Sequence, residues 1–133
     1  MCTHWSDGGE GAKDLAKTVD EICREEKNTF KFLYDDKMPL FKKIQTIAQE
    51  LYHASEVVAD TKIRAQIKTF QEDGYGNLPI CMAKTQYSFS TDPSLKGAPS
   101  GHVMPITEVR LSSGAEFIAV SYTHLTLPTI LRV

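Results

Sequence analysis

Stripes of apolar residues at helical spacing dominate the first 73 residues. Leu15, Val19 and Ile22, with Ala16 and Cys23 beside them, share one side of a helix predicted over residues 12–26. Lys13, Lys17, Asp20, Glu21, Arg24 and Glu25 fall on its other side. Phe41, Ile44, Ile47, Ala48 and Leu51 make a second stripe, ending near Tyr52. Pro39 suits the first turn of that helix, and Asp35 or Asp36 can cap it. Ile63, Ile67 and Phe70 form a third, narrow face that ends near Asp73. Asp60 is placed as its N-cap, and Gly74 as its left-handed terminator.

Between and after the helices the pattern shortens to runs of strand length. Residues 30–34 (Phe-Lys-Phe-Leu-Tyr) and 56–58 (Glu-Val-Val) predict short strands, and residues 78–83 a buried strand entered through Pro79. Residues 103–111 and 115–120 predict two more, joined by a turn at Ser112, Ser113 and Gly114. Residues 91–101 hold two prolines and two glycines and read as an exposed loop. Helices alternating with strands argue for an α/β fold, a layered mixed sheet with flanking helices. There is no internal repeat.

Composition narrows the class. With 133 residues, 41% hydrophobic and 24% charged, the chain reads as one ordinary globular domain. A net charge of −2 lacks the basic surplus of a nucleic-acid binder. No apolar run approaches the roughly 18–20 residues that span a bilayer. The first residues lack the basic and apolar parts of a signal peptide. Cys2, Cys23 and Cys81 form neither a disulfide framework nor a zinc pattern, and fit a reducing, cytoplasmic setting. Residues 1–73 carry 11 Lys and Arg and 14 Asp and Glu, whereas residues 74–133 carry four and three. The first part therefore reads as solvated helices, with the charged runs at 24–27 and 42–43 on solvated faces. The second reads as strands and loops packed against something.

Several segments together resemble one family. Thr3-His4-Trp5 with Gly8, Gly9 and Gly11 is similar to a segment of formate–tetrahydrofolate ligase, as is Phe32-Leu33-Tyr34 with Met38-Pro39 and Lys43-Ile44. The longest match runs from Gly74-Tyr75-Gly76-Asn77-Leu78-Pro79 through Ile80-Cys81-Met82-Ala83-Lys84-Thr85-Gln86 to Tyr87-Ser88-Phe89-Ser90. Lys96-Gly97-Ala98-Pro99-Ser100-Gly101, Pro105-Ile106, Val109-Arg110 and Gly114-Ala115-Glu116-Phe117-Ile118 continue it in the family's order. The resemblance covers residues 2–120 and implies the incomplete C-terminal portion of a larger α/β enzyme. A Gly-rich phosphate loop ending in Lys and Ser or Thr is absent from this chain, and the resemblance places it in the missing part. Residues 121–133 depart from the family and resemble translated sequencing-library adapter. They hold one charge, Arg132, and are read as a non-native, poorly packed tail.

The resemblance implies an ATP-dependent ligase that makes 10-formyltetrahydrofolate from formate and tetrahydrofolate through formyl phosphate. ATP with Mg²⁺, a monovalent cation and a homo-tetrameric whole enzyme are implied with it, and neither nucleic acid nor membrane. The fragment alone should be inactive and should expose apolar surface that the rest of the enzyme would cover.

Trp5 is the foremost site residue. A tryptophan face stacks on a flat heteroaromatic such as a pterin with large contact area at low entropic cost. On residue type alone a core-anchoring tryptophan is favoured; the resemblance reverses that order. Gly8, Gly9 and Gly11 are a possible ligand loop or a plain turn into a helix. His4 is a possible hydrogen-bond donor or a surface histidine. Lys84 and Thr85 follow a strand end, where ligands gather in open α/β sheets, and are possible nucleotide or anion contacts. No metal ligands and no catalytic residues are singled out. Tyr87 and Phe89 read as core, and Cys81 as an inert packed thiol. The alternative to a ligase fragment is a non-catalytic α/β module that binds a pterin or nucleotide, or a structural domain whose apolar strands dock on a partner.

Overall fold

A computed structural model describes residues 2–25, 29–83 and 87–122. The chain divides into two compact units, Met1–Phe32 and Leu33–Val133.

In the first unit, a four-residue helix α1 (His4–Asp7) is followed by a 3₁₀ turn (Glu10–Ala12) and helix α2 (Lys13–Arg24). The predicted helix is there, slightly shorter. Leu15, Val19 and Ile22 do align on one face of α2, but all three are exposed. No described residue of this unit is buried. Its order is local: Lys13 pairs with Glu10 at 3.2 Å and Arg24 with Asp20 at 2.9 Å, both across one helical turn.

The second unit holds the core. Helix α3 (Leu40–Thr46) continues into one π turn (Ile47–Leu51), and α4 spans Thr61–Glu72. Asp60 caps α4 as its residue type dictates, its carboxylate accepting from the Ile63 N–H at 2.7 Å. Gly74 follows at φ +92°, in the left-handed conformation that lets the chain turn out of the helix. Pro39 precedes α3 as its N-cap, with extended backbone at ψ 140°. Asp35 does not cap α3; its carboxylate accepts from Lys37 N–H at 2.7 Å in a preceding turn.

Among the described residues, five strands make two small sheets. β1 (Glu56–Ala59) pairs in parallel with β3 (Val103–Ile106), Val57 opposite Met104. β2 (Ile80–Ala83) pairs in parallel with β5 (Phe117–Ser121), Ile80 opposite Ile118, and β4 (Glu108–Ser112) runs antiparallel on the other side of β5. Leu40, Ile44 and Ala48 of the α3 region meet Ile63 and Ile67 of α4 and the inward residues Val57, Met104, Ile106, Val109, Ile118 and Val120. This is the mixed α/β architecture that the alternation predicts.

Five local expectations are corrected. Residues 30–34 form no strand; Phe30 and Phe32 are exposed and meet edge-to-face at 5.0 Å. The run 103–111 is two strands, because at Thr107 the chain changes partner from β1 to β5. There the Thr107 N–H and Oγ1 both donate to Ser121 O, at 2.8 and 3.0 Å. Among the described residues β2 is an edge strand and not a buried one, and Cys81 is exposed. Tyr87, read as core, is 71% exposed, whereas Phe89 stacks on Tyr52 with ring centres 4.6 Å apart. Lys43, read as part of a solvated face, is 0% exposed.

Poor packing at the chain's end does not hold at its first two positions. Ser121 closes β5, and Tyr122 is buried among the core residues. Residues 123–133 lie outside the described residues.

Candidate functional site

The segment around Trp5 is a closed loop. Thr3 N–H donates to Gly11 O at 3.0 Å, and Thr3 O accepts from the N–H groups of Ser6 and Asp7 and from Ser6 Oγ at 2.9–3.0 Å. His4 Nδ1 bonds to Gly8 O at 3.0 Å, so this histidine steadies the loop. Two glycines are required by geometry. Gly8 has φ +60° and ψ −141°, a region closed to residues with a β-carbon. At Gly11 a β-carbon would lie 2.6 Å from the Thr3 backbone, so the two strands of the loop meet only because Gly11 has no side chain. Gly9 has open space around it and normal φ.

Trp5 is carried on this loop by α1 with 92% of its surface in solvent. It anchors no core; its indole faces are free for a flat partner. The loop brings together Trp5, His4, Gly8, Gly9 and Gly11. The N–H groups of Gly11 and Ala12 are spent within the loop, on Gly8 O and Gly9 O at 3.2 Å each. Lys84 and Thr85 lie outside the described residues.

A sequence model of the formate–tetrahydrofolate ligase family matches residues 1–130. The chain belongs to this family. Among curated relatives, the formate–tetrahydrofolate ligase of Pelagibacter ubique is 63% identical over 134 residues, covering 100% of this chain and 24% of its own length. That of Rhizobium meliloti is 53% identical with the same coverage, and that of a Ruegeria species 59% identical over 120 residues, 90% of this chain. The chain thus spans about a quarter of the length of the relatives it matches. The family match runs to residue 130, past residue 120, where the resemblance seen in the sequence ends.

The other polar features lie in the second unit. Lys43 Nζ, in the core, donates to Gly76 O at 2.8 Å and to Leu78 O at 3.0 Å. Burial lowers its pKa, against the opposing pull of Asp36 and Asp35. Reading residues one helix face at a time missed it; its signal was a lysine directly preceding the buried Ile44 within a family motif. Among the described residues, Tyr122 OH and Ser121 Oγ are buried without a hydrogen-bond partner, as are both ring nitrogens of His102. Burial, with Tyr52 beside it, pushes the Tyr122 hydroxyl up to about 12. Among the described residues no group of three or more His, Cys, Asp or Glu side chains is placed to hold a metal ion. No helix among them is long and apolar enough to cross a membrane.

Proposed function

We propose that this segment is part of an ATP-dependent ligase of one-carbon metabolism that joins formate to N10 of tetrahydrofolate. The observation that carries its own share is the solvent-exposed Trp5, held on a loop that a β-carbon at Gly11 would break. In this reading Trp5 stacks on the pterin. Its flat face fixes the plane of the folate, and so the direction from which N10 approaches.

Formate is a poor electrophile, because its carboxylate is anionic and resonance-stabilised. Transfer of the ATP γ-phosphoryl group to a formate oxygen gives formyl phosphate and ADP. Attack of N10 on the formyl carbon then breaks the bond to the phosphate oxygen, releasing phosphate and the N10 proton. The role of this chain is to position the folate; Lys84 and Thr85 are proposed to contact nucleotide or phosphate. No metal-dependent step is assigned to the described residues. Mg²⁺ accompanies the nucleotide, and a monovalent cation, a tetrameric assembly and a cytoplasmic location belong to the same reading. The chain alone is inactive in it.

The test uses a full-length family enzyme carrying this segment. Tetrahydrofolate should quench a part of the tryptophan emission that Trp5→Ala removes. Trp5→Ala should also raise KM for tetrahydrofolate at least tenfold, with KM for ATP and formate unchanged. An emission difference that ignores added tetrahydrofolate, with an unchanged KM, sinks the stacking role.

A further inference from the structure

Lys43 is the only charged side chain that is fully buried among the described residues. A buried ammonium is costly unless its protons are satisfied, and a Met or Leu would fill the same volume without that cost. Two carbonyls accept from it, Gly76 O and Leu78 O, and the Tyr34 ring centre lies 5.7 Å from Nζ. It makes no ion pair within the described residues, so what the charge offers here is a fixed geometry between α3 and the turn before β2.

That turn is pinned at successive points by groups outside it. Lys43 holds the carbonyls of residues 76 and 78. Pro79 O accepts from Ile118 N–H at 2.9 Å, and Ile80 N–H donates to Tyr34 OH at 3.1 Å. Ile80 is the first residue of β2, whose other neighbour in the sheet is absent among the described residues. An edge strand has only one ladder to hold its register. The remaining restraint at its entry comes from Lys43 and Tyr34. In open α/β sheets the C-terminal strand ends face ligands, and β2 ends at Ala83 beside Ser121.

We propose that Lys43 is a positioning residue: from the core it fixes the turn at 76–80 and with it the height of β2, so that substrate affinity depends on an ammonium that touches no substrate. The functional half of this rests on the ligase reading above; the structural half does not.

The test is Lys43→Met, with Tyr34→Phe as the milder second variant, in a full-length family enzyme carrying this segment. Amide exchange at Asn77, Leu78 and Ile80 should accelerate at least tenfold in Lys43→Met, while amides of α4 at Ile67 and of β5 at Val120 change less than threefold. KM for at least one of the three substrates should rise tenfold or more, with kcat within threefold. Tyr34→Phe should shift the Ile80 amide and the same KM in the same direction, by less. Uniform acceleration across α4 and β5 would make Lys43 an ordinary core residue and overturn the proposal, as would unchanged KM values in an active enzyme. If Lys43→Met does not fold, Tyr34→Phe decides: an unmoved Ile80 amide overturns the clamp. If the unmodified enzyme forms no 10-formyltetrahydrofolate, the ligase reading fails, and the exchange pattern upholds or overturns the clamp by itself.

Discussion

Thr3 and Gly11 meet backbone to backbone: the Thr3 N–H donates to Gly11 O at 3.0 Å, and a β-carbon on Gly11 would sit 2.6 Å from the Thr3 carbonyl carbon. This contact closes the loop that presents Trp5. Gly11→Ala should therefore open it, whereas Gly9→Ala, with nothing within 4 Å, should be silent. In a full-length enzyme carrying this segment, Gly11→Ala should weaken tetrahydrofolate binding at least tenfold and Gly9→Ala less than twofold. Equal effects from the two substitutions would remove the loop geometry from the account.

Gly76 is tight against Gln71, whose amide nitrogen stands where a β-carbon would go, while Gln71 Oε1 accepts from Leu40 N–H at 2.9 Å. Gly76→Ala should displace that amide and strand the Leu40 N–H, costing roughly 1–3 kcal/mol. Gln71→Ala should cost about 1 kcal/mol by losing the same bond. The double variant should cost less than the two together, because the clash disappears with the glutamine. Urea unfolding of the four proteins measures the cycle, and strict additivity would refute the shared contact.

Tyr122 carries a buried hydroxyl with no partner among the described residues. Tyr122→Phe should therefore stabilise the chain by about 1 kcal/mol at neutral pH, since a desolvated, unmatched group is removed. The pH dependence follows from the raised value of about 12 against an ordinary 10.0. The unfolded chain loses this proton first as pH rises, so stability is full below pH 10 and falls between 10 and 12. The loss should reach roughly 2 kcal/mol at pH 12. Tyr52, also raised by burial, adds to the same fall. Denaturation midpoints across this range should show a shallower alkaline decline in Tyr122→Phe than in the parent.

α2 and α4 are both 12-residue helices, but only α4 has buried residues, Ile63 and Ile67. A helix of that length that buries no side chain among the described residues is marginal in water. Amides of α2 should exchange close to the rate of an unstructured chain, while those around Ile67 are strongly protected. The exposed Leu15, Val19 and Ile22 should also bind an apolar-surface dye, and Val19→Lys should reduce that signal. Protection of α2 equal to that of α4 would contradict this.

Asp60 offers the simplest check on local coding. Its carboxylate accepts from Ile63 N–H at 2.7 Å at the start of α4. Asp60→Ala should cost about 1 kcal/mol in a thermal melt, and Asp60→Asn much less.

The features legible in the sequence are those set by neighbours a few residues apart. The stripe on α4, its Asp60 cap and its Gly74 terminator depend on contacts and backbone geometry within about one helical turn, so residue order alone determines them. The Trp5 loop was legible as a family motif, although its closure by Gly11 was not. What the tertiary structure decided depends on distant partners. Lys43 is buried because carbonyls 33 and 35 residues away accept its protons. Thr107 divides an unbroken strand pattern because two different strands, β1 and β5, lie beside its two halves. Cys81 has an apolar setting in the sequence and is exposed on β2, which is at a sheet edge among the described residues. The sequence by itself determined the helices and the family; burial, edge position and strand pairing were decided only by which distant segments came to lie alongside.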